Sequence, residues 1–255
     1  MSLADVVARW DAFLSKIDRA FEDLLNEARL GCLELAQANE TVAMSNAWQG
    51  VRSEVFALTE RIGTTWRDKV EATFEQSGLE GAALHEQEMR GRALERSMLH
   101  RFERKEIELY GEAGEFVLAR ARDEEGREFR CTQCGAALPV PARALRSVHV
   151  TCDYCRAVNT FEPGTHVRAV EHFCGHHLSQ RAALEQWEAM KAAEHLRRDT
   201  RGETPEVRAQ LERTTRAYWQ AYFSARAQLL PELEQDIARE VEARMRGFKQ
   251  LASPS

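Results

Sequence analysis

Four cysteines carry the clearest chemistry in this chain. Cys131-Thr-Gln-Cys134 and Cys152-Asp-Tyr-Cys155 stand 17 residues apart. Two CxxC pairs at this distance have metal-site spacing. Thiolates two residues apart can face one ion from a tight turn whose amide N–H groups also point at the sulfurs. Two such turns supply four tetrahedral ligands at ~2.3 Å, the closed shell of a structural zinc rather than the open one of a catalytic zinc. Gly135 follows the first pair, where a knuckle turn favours positive φ. A redox CxxC would instead open a helix after a strand. Six cysteines in 255 residues are too few for a disulfide scaffold, so the pairs point to metal and to a reducing cytoplasm.

Phe129, Leu138, Val140, Val148, Val150, Val158 and Phe161 flank these ligands in short alternating pieces, as a small three-stranded sheet requires. The runs from Cys131 to Val140 and from Val148 to Asn159 resemble the two knuckles of a zinc ribbon. The resemblance implies a fold and a Zn2+ ion held by Cys131, Cys134, Cys152 and Cys155. It implies no function, because such ribbons serve many. The same spacing occurs in bacterial factors similar to DksA, which join a long helical hairpin to a zinc finger and enter the RNA polymerase channel. Those factors carry acidic residues at the hairpin tip. The first turn here, Gln37-Ala38-Asn39-Glu40-Thr41, has one acid and no paired Asp.

A second cluster is less ordered: His166, His172, Cys174, His176 and His177. On a helix, Cys174 and His177 share a face, so a second metal site would use these two plus a partner such as Cys32 or His100. The competing reading is a buried thiol and a hydrogen-bonded core histidine. His85-Glu86-Gln87-Glu88-Met89 begins like a metalloprotease helix, but Met89 stands where the second His must be. No phosphate loop, dinucleotide fingerprint or nucleophile elbow is present in the sequence. No enzyme and no small-molecule substrate are expected. Tyr218, Trp219, Tyr222 and Phe223 follow the helical stripe around them and read as core rather than as a base-stacking platform.

Long helices must position these residues. Leu3, Val7, Trp10, Leu14, Ile17, Phe21, Leu24, Ala28 and Leu35 form a heptad stripe, which predicts one long amphipathic helix. Trp48, Val51, Val55, Leu58, Ile62, Trp66 and Val70 predict a second. Residues 77–81, rich in Gly, predict a turn. A third helix carries Leu84, Leu94, Met98, Phe102 and Ile107, and Gly111 and Gly114 are expected to end or loosen it. Residues 116–122 fit either helix or strand. A fourth helix is expected from about His166 to Arg198. Thr204-Pro205 starts a fifth, which should kink at Pro231. The fold class is therefore mainly α: long antiparallel helices, as a bundle or coiled coil, with an inserted small β zinc ribbon. The boundaries are 1–122 for the N-terminal helical region, 123–164 for the ribbon, and 165–255 for a C-terminal helical region packing with the N-terminal helices.

Charge and composition bound the function. The chain has 44% hydrophobic and 30% charged residues and a net charge of −6, which excludes a disordered or membrane-embedded chain. The first residues lack a basic segment followed by an apolar run, so no secretion signal is expected. Residues 126–168 hold six basic and three acidic side chains, a net +3 in an acidic protein. Arg143, Arg146 and Arg156 are the candidate basic contact face. The expected function is a non-enzymatic interaction protein, a scaffold or adaptor, with a protein partner or self-association through the helical stripes. The alternative is a nucleic-acid- or RNA-polymerase-associated regulator using the basic ribbon, disfavoured by the modest charge.

Overall fold

The computed structural model describes residues 2–125, 128–139, 147–200, 204–231 and 236–252. The fold is mainly α with one small antiparallel sheet. It divides into two compact units, Met1–Leu109 and Tyr110–Ser255, and the division falls inside one long helix.

In the first unit, α1 (Leu3–Gln37) opens on a capping box. Ser2 Oγ accepts from the Asp5 amide, and the Asp5 carboxylate accepts from the Ser2 amide, satisfying two orphan donors. The helix ends at Gln37, the chain turns at Asn39, whose φ is 68°, and α2 (Thr41–Thr65) returns. It continues through a π turn at Trp66–Val70 into α3 (Glu71–Gln76). The predicted turn at 77–81 then leads into α4 (Gly81–Glu125). Cys32 Sγ lies 3.8 Å from Met44 O, while the Trp10 and Trp66 ring centroids are 5.5 Å apart, so α1 and α2 are antiparallel. Trp10 Nε1 donates to Gln87 O at 3.2 Å, and Arg101 binds Asp18 and Glu22. α4 therefore runs parallel to α1, completing an up–down–up bundle. Its centre is Trp10, Phe21, Trp48, Ile62, Phe74 and Met98, all at most 2% exposed.

The buried stripe of α1 departs from the strict heptad. Val6, Trp10, Leu14, Ile17, Phe21, Leu25, Cys32 and Ala36 are buried, one position later than expected at Leu24 and Leu35. A straight helix has 3.6 residues per turn, so a 3.5 repeat drifts ~20° per heptad.

α4 does not end or loosen at its glycines, and residues 116–122 are helical. Gly111 and Gly114 let another helix approach. A Cβ on Gly111 would stand 2.3 Å from the Arg181 side chain, and one on Gly114 would stand 3.1 Å from Leu178.

In the second unit, β1 (Val148–Thr151) pairs antiparallel with β2 (Val158–Phe161). Among the described residues the expected third strand is reduced to a single bridge between Arg130 and Ala137. α5 (Thr165–Ala169), a second π turn at Val170–Cys174, α6 (Gly175–Ala182) and α7 (Leu184–Asp199) replace the uninterrupted fourth helix. α8 (Pro205–Leu229) starts as expected, with Thr204 Oγ1 accepting from the Val207 amide. The kinked fifth helix is instead two helices. α8 stops before Pro231, whose ring clashes with a helical carbonyl, and α9 (Ile237–Ala252) follows. Tyr218, Tyr222 and Phe223 are buried, and Arg244 lies over the Trp219 ring at 4.9 Å, so this cluster is core. No helix among the described residues is long and apolar enough to cross a membrane.

Candidate metal centre

The two CxxC pairs form twin turns. In the first, the Cys131 amide donates to Ala136 O at 2.8 Å, and Cys131 O accepts from the Gly135 amide at 2.9 Å. In the second, the Cys152 amide donates to Ala157 O at 2.9 Å, and Cys152 O accepts from the Arg156 amide at 2.9 Å. Each closes on a left-handed residue, Gly135 with φ 75° and Arg156 with φ 61°. Gly135 thus takes the positive φ that its position predicts. Arg156 takes the same conformation with a side chain attached, which costs ~1–2 kcal/mol.

The turns bring all four sulfurs within 4.8 Å of one another. The Cys131 and Cys155 sulfurs are 3.5 Å apart and those of Cys134 and Cys152 are 3.6 Å apart, far longer than a disulfide. A tetrahedron of sulfurs ~2.3 Å from a central ion has edges of ~3.8 Å, so the observed spacing fits one metal ion.

Buried Asn159 ties the two turns together. Its Oδ1 accepts from the amide and the hydroxyl of Thr132, both at 2.9 Å, while Nδ2 donates to Ala157 O at 3.0 Å and to Cys131 Sγ at 3.5 Å. The amides of Cys134 and Gln133 add further donors and bring the Cys131 thiol down to about 6. The Ala157 amide favours ionisation of Cys155, but the Cys131 sulfur, burial and the Cys134 and Cys152 sulfurs together outweigh it and push Cys155 up to about 12. A thiolate at Cys131 therefore opposes a second thiolate at Cys155, and a cation among the sulfurs would favour both.

Sequence reasoning missed Asn159 and Thr132. Their signal was an amide side chain four residues beyond the last ligand, too weak without the turn geometry. Arg156 is exposed beside the centre, while Arg143 and Arg146 lie outside the described residues.

Cys174 and His177 sit elsewhere in the second unit. Cys174 is fully buried and donates from Sγ to Gly114 O at 3.3 Å. Burial pushes its thiol up to about 12, so it stays protonated. His177 stacks on Tyr110 with centroids 4.5 Å apart and meets Phe173 edge-on at 4.7 Å. Burial, with help from His176, brings it down to about 4. Among the described residues, the four-cysteine cluster is the one group of three or more side chains placed to hold a metal, and Cys174 and His177 join no such group. Comparison with protein-family models, with curated proteins and with solved structures finds no match to this chain.

Proposed function

We propose that the four cysteines hold one structural Zn2+ ion, and that the resulting zinc ribbon is a rigid recognition head on a non-enzymatic, cytoplasmic scaffold or adaptor. The observation that carries this reading is the closed shell of four sulfurs within 4.8 Å of one another, built by two matching turns and steadied by Asn159. Thiolates select zinc over hard cations, and a module of this size cannot bury enough core to fold without a clamp. The helices supply surface for a protein partner or a second copy. Phe56, Val42 and Leu30 are 51%, 74% and 61% exposed on α1 and α2.

Elemental analysis of protein purified under reducing conditions tests the site, and about one zinc per chain is expected. Cys131→Ser should then remove the zinc and unfold the ribbon while circular dichroism shows most of the helix intact. Clearly substoichiometric zinc in wild-type protein supplied with the metal overturns the site. Capture of partners from lysate with and without nuclease tests the role. Partners held only while nucleic acid is intact would favour a nucleic-acid-associated regulator.

A further inference from the structure

The first unit holds a cavity of about 280 Å³ lined from α1, α2, the π turn after it, α3 and α4. Its apolar lining is Trp10, Ile62 and Trp66, all buried. Glycine leaves both long walls bare. A Cβ on Gly91 would stand 2.9 Å from the Trp10 ring and 3.2 Å from Ile62, and one on Gly63 would stand 3.3 Å from Glu95 Oε1 and 3.4 Å from Arg67 Nη1. Trp66 and Arg67 open the π turn, a helix defect that recurs at functional sites.

The charged lining is Arg67 and Arg92 with Glu71, Glu88 and Glu95. Arg92 is already committed, its Nε donating to Glu88 Oε1 at 2.9 Å. Glu95 and Arg67 stand beside each other at Gly63, and among the described residues neither enters a salt bridge. Burial raises the Glu95 carboxyl above its ordinary value, although Arg92, Arg67, Arg96 and the Gly63 backbone act to lower it. Its charged form is therefore short of compensation, which a ligand ammonium would supply.

We propose that this cavity binds a small zwitterion of the α-amino acid kind, with its ammonium on Glu95, its carboxylate on Arg67 and an apolar side chain against Trp10, Ile62 and Trp66. Charge selects this class. A simple cation would meet the same arginines that act on Glu95, and a simple anion would meet Glu71 and Glu95. A zwitterion gives each group its opposite. A metal ion does not fit, because among the described residues the four cysteines are the one group placed to hold one. Size agrees. At ~30 Å³ per water the space equals roughly nine waters, enough for leucine or methionine and too little for a nucleotide or a folded partner. The cavity belongs wholly to the first unit, so this ligand site does not depend on the zinc reading.

Calorimetric titration of the full-length protein with L-leucine, L-methionine and L-phenylalanine is the test. At least one should bind saturably, near one per chain. N-acetylation of that amino acid removes the ammonium and amidation removes the carboxylate, and each should weaken binding by roughly 10-fold or more, the worth of a hydrogen bond between charged groups. Glu95→Gln should weaken the free amino acid by a similar factor and leave the N-acetyl form unchanged. Arg67→Gln should weaken the free amino acid and leave the amide unchanged. The proposal is overturned if none of the three amino acids binds at millimolar concentration. It is equally overturned if the amide binds as tightly as the free amino acid, which would make this a cation site, or if the N-acetyl form does, which would make it an anion site. Variants that weaken all ligands alike would show that Glu95 and Arg67 only shape the helices, and would overturn it too.

Discussion

Asn159 is the residue on which the metal centre turns. One buried side chain satisfies the Thr132 amide and hydroxyl, the Ala157 carbonyl and a Cys131 lone pair. Outer partners of this kind orient ligands, and losing them costs ~10–100-fold in metal affinity. Asn159→Ala should therefore weaken zinc by that factor in a competition with a chromogenic chelator. Asn159→Asp keeps the acceptor for Thr132 but cannot donate to sulfur, and its carboxylate faces a thiolate, so it should weaken zinc as well. If both variants hold zinc like wild type, Asn159 is filler. The left-handed pair gives a second prediction. Gly135→Ala puts a side chain at φ 75° and should destabilise the loaded site by about 1 kcal/mol. Arg156→Gly relieves the same strain in the second turn and should stabilise it by up to a similar amount, less the entropy a glycine adds to the unfolded chain. Opposite signs in the chelator half-points are expected, and equal signs would show that these turns do not limit metal binding. Gly135 was legible in the sequence because glycine marks positive φ. Arg156 was not, because nothing about an arginine announces a left-handed backbone.

At the scale of elements, the long helices were legible because their apolar stripes repeat over many turns. The interruptions were not. Trp66–Val70 and Val170–Cys174 are π turns, and neither run contains Pro or Gly to mark one. Thr204-Pro205 and Pro231 did mark a start and a break, though the break proved complete where a kink was expected. The second π turn precedes α6, whose His177 lies between Tyr110 and Phe173, and it bears on pH. His177 is brought down to about 4 by burial, below its ordinary 6.5, and burial also lowers His176, helped by Arg226 and Arg244. The unfolded chain therefore takes up protons first as pH falls. The stability that depends on neutral His177 is whole above about pH 6.5 and is lost as pH falls toward 4, a difference of at most ~3 kcal/mol. Thermal unfolding of the helices should shift down between pH 7 and pH 5. A Cys131→Ser background removes the acid sensitivity of metal thiolates from this comparison. His177→Phe keeps a ring against Tyr110 and should flatten much of the pH dependence, leaving the share of His176. An unchanged slope in His177→Phe would mean that His177 is not the group titrating.

At the scale of the whole molecule, the question is which apolar surface is spent on folding and which is left for a partner. The sequence reading offered the α1 stripe, including Ile17 and Leu24, as an interface. Ile17 is 3% exposed within the single chain, so placing a charge there would break the bundle core whatever the partner. A glutamate at that depth gives up its hydration and costs several kcal/mol. Loss of association by Ile17→Glu could then reflect unfolding alone. Val42 and Phe56 are different. They project from α2 at 74% and 51% exposure, so replacing them with Lys removes apolar contact area but little core. Isolated exposed apolar residues are ordinary, and a partner is what would make these matter. If the chain self-associates through α1 and α2, the double variant Val42→Lys, Phe56→Lys should lower the mass measured by light scattering at a fixed concentration. Its melting temperature should stay within a few degrees of wild type, because surface substitutions usually change stability by under ~0.5 kcal/mol. An unchanged oligomeric mass with an unchanged melting temperature rules these side chains out as the contact. A wild-type protein that stays monomeric at high concentration leaves a different protein as the occupant, and the same double variant should then lose that protein from the nuclease-treated capture.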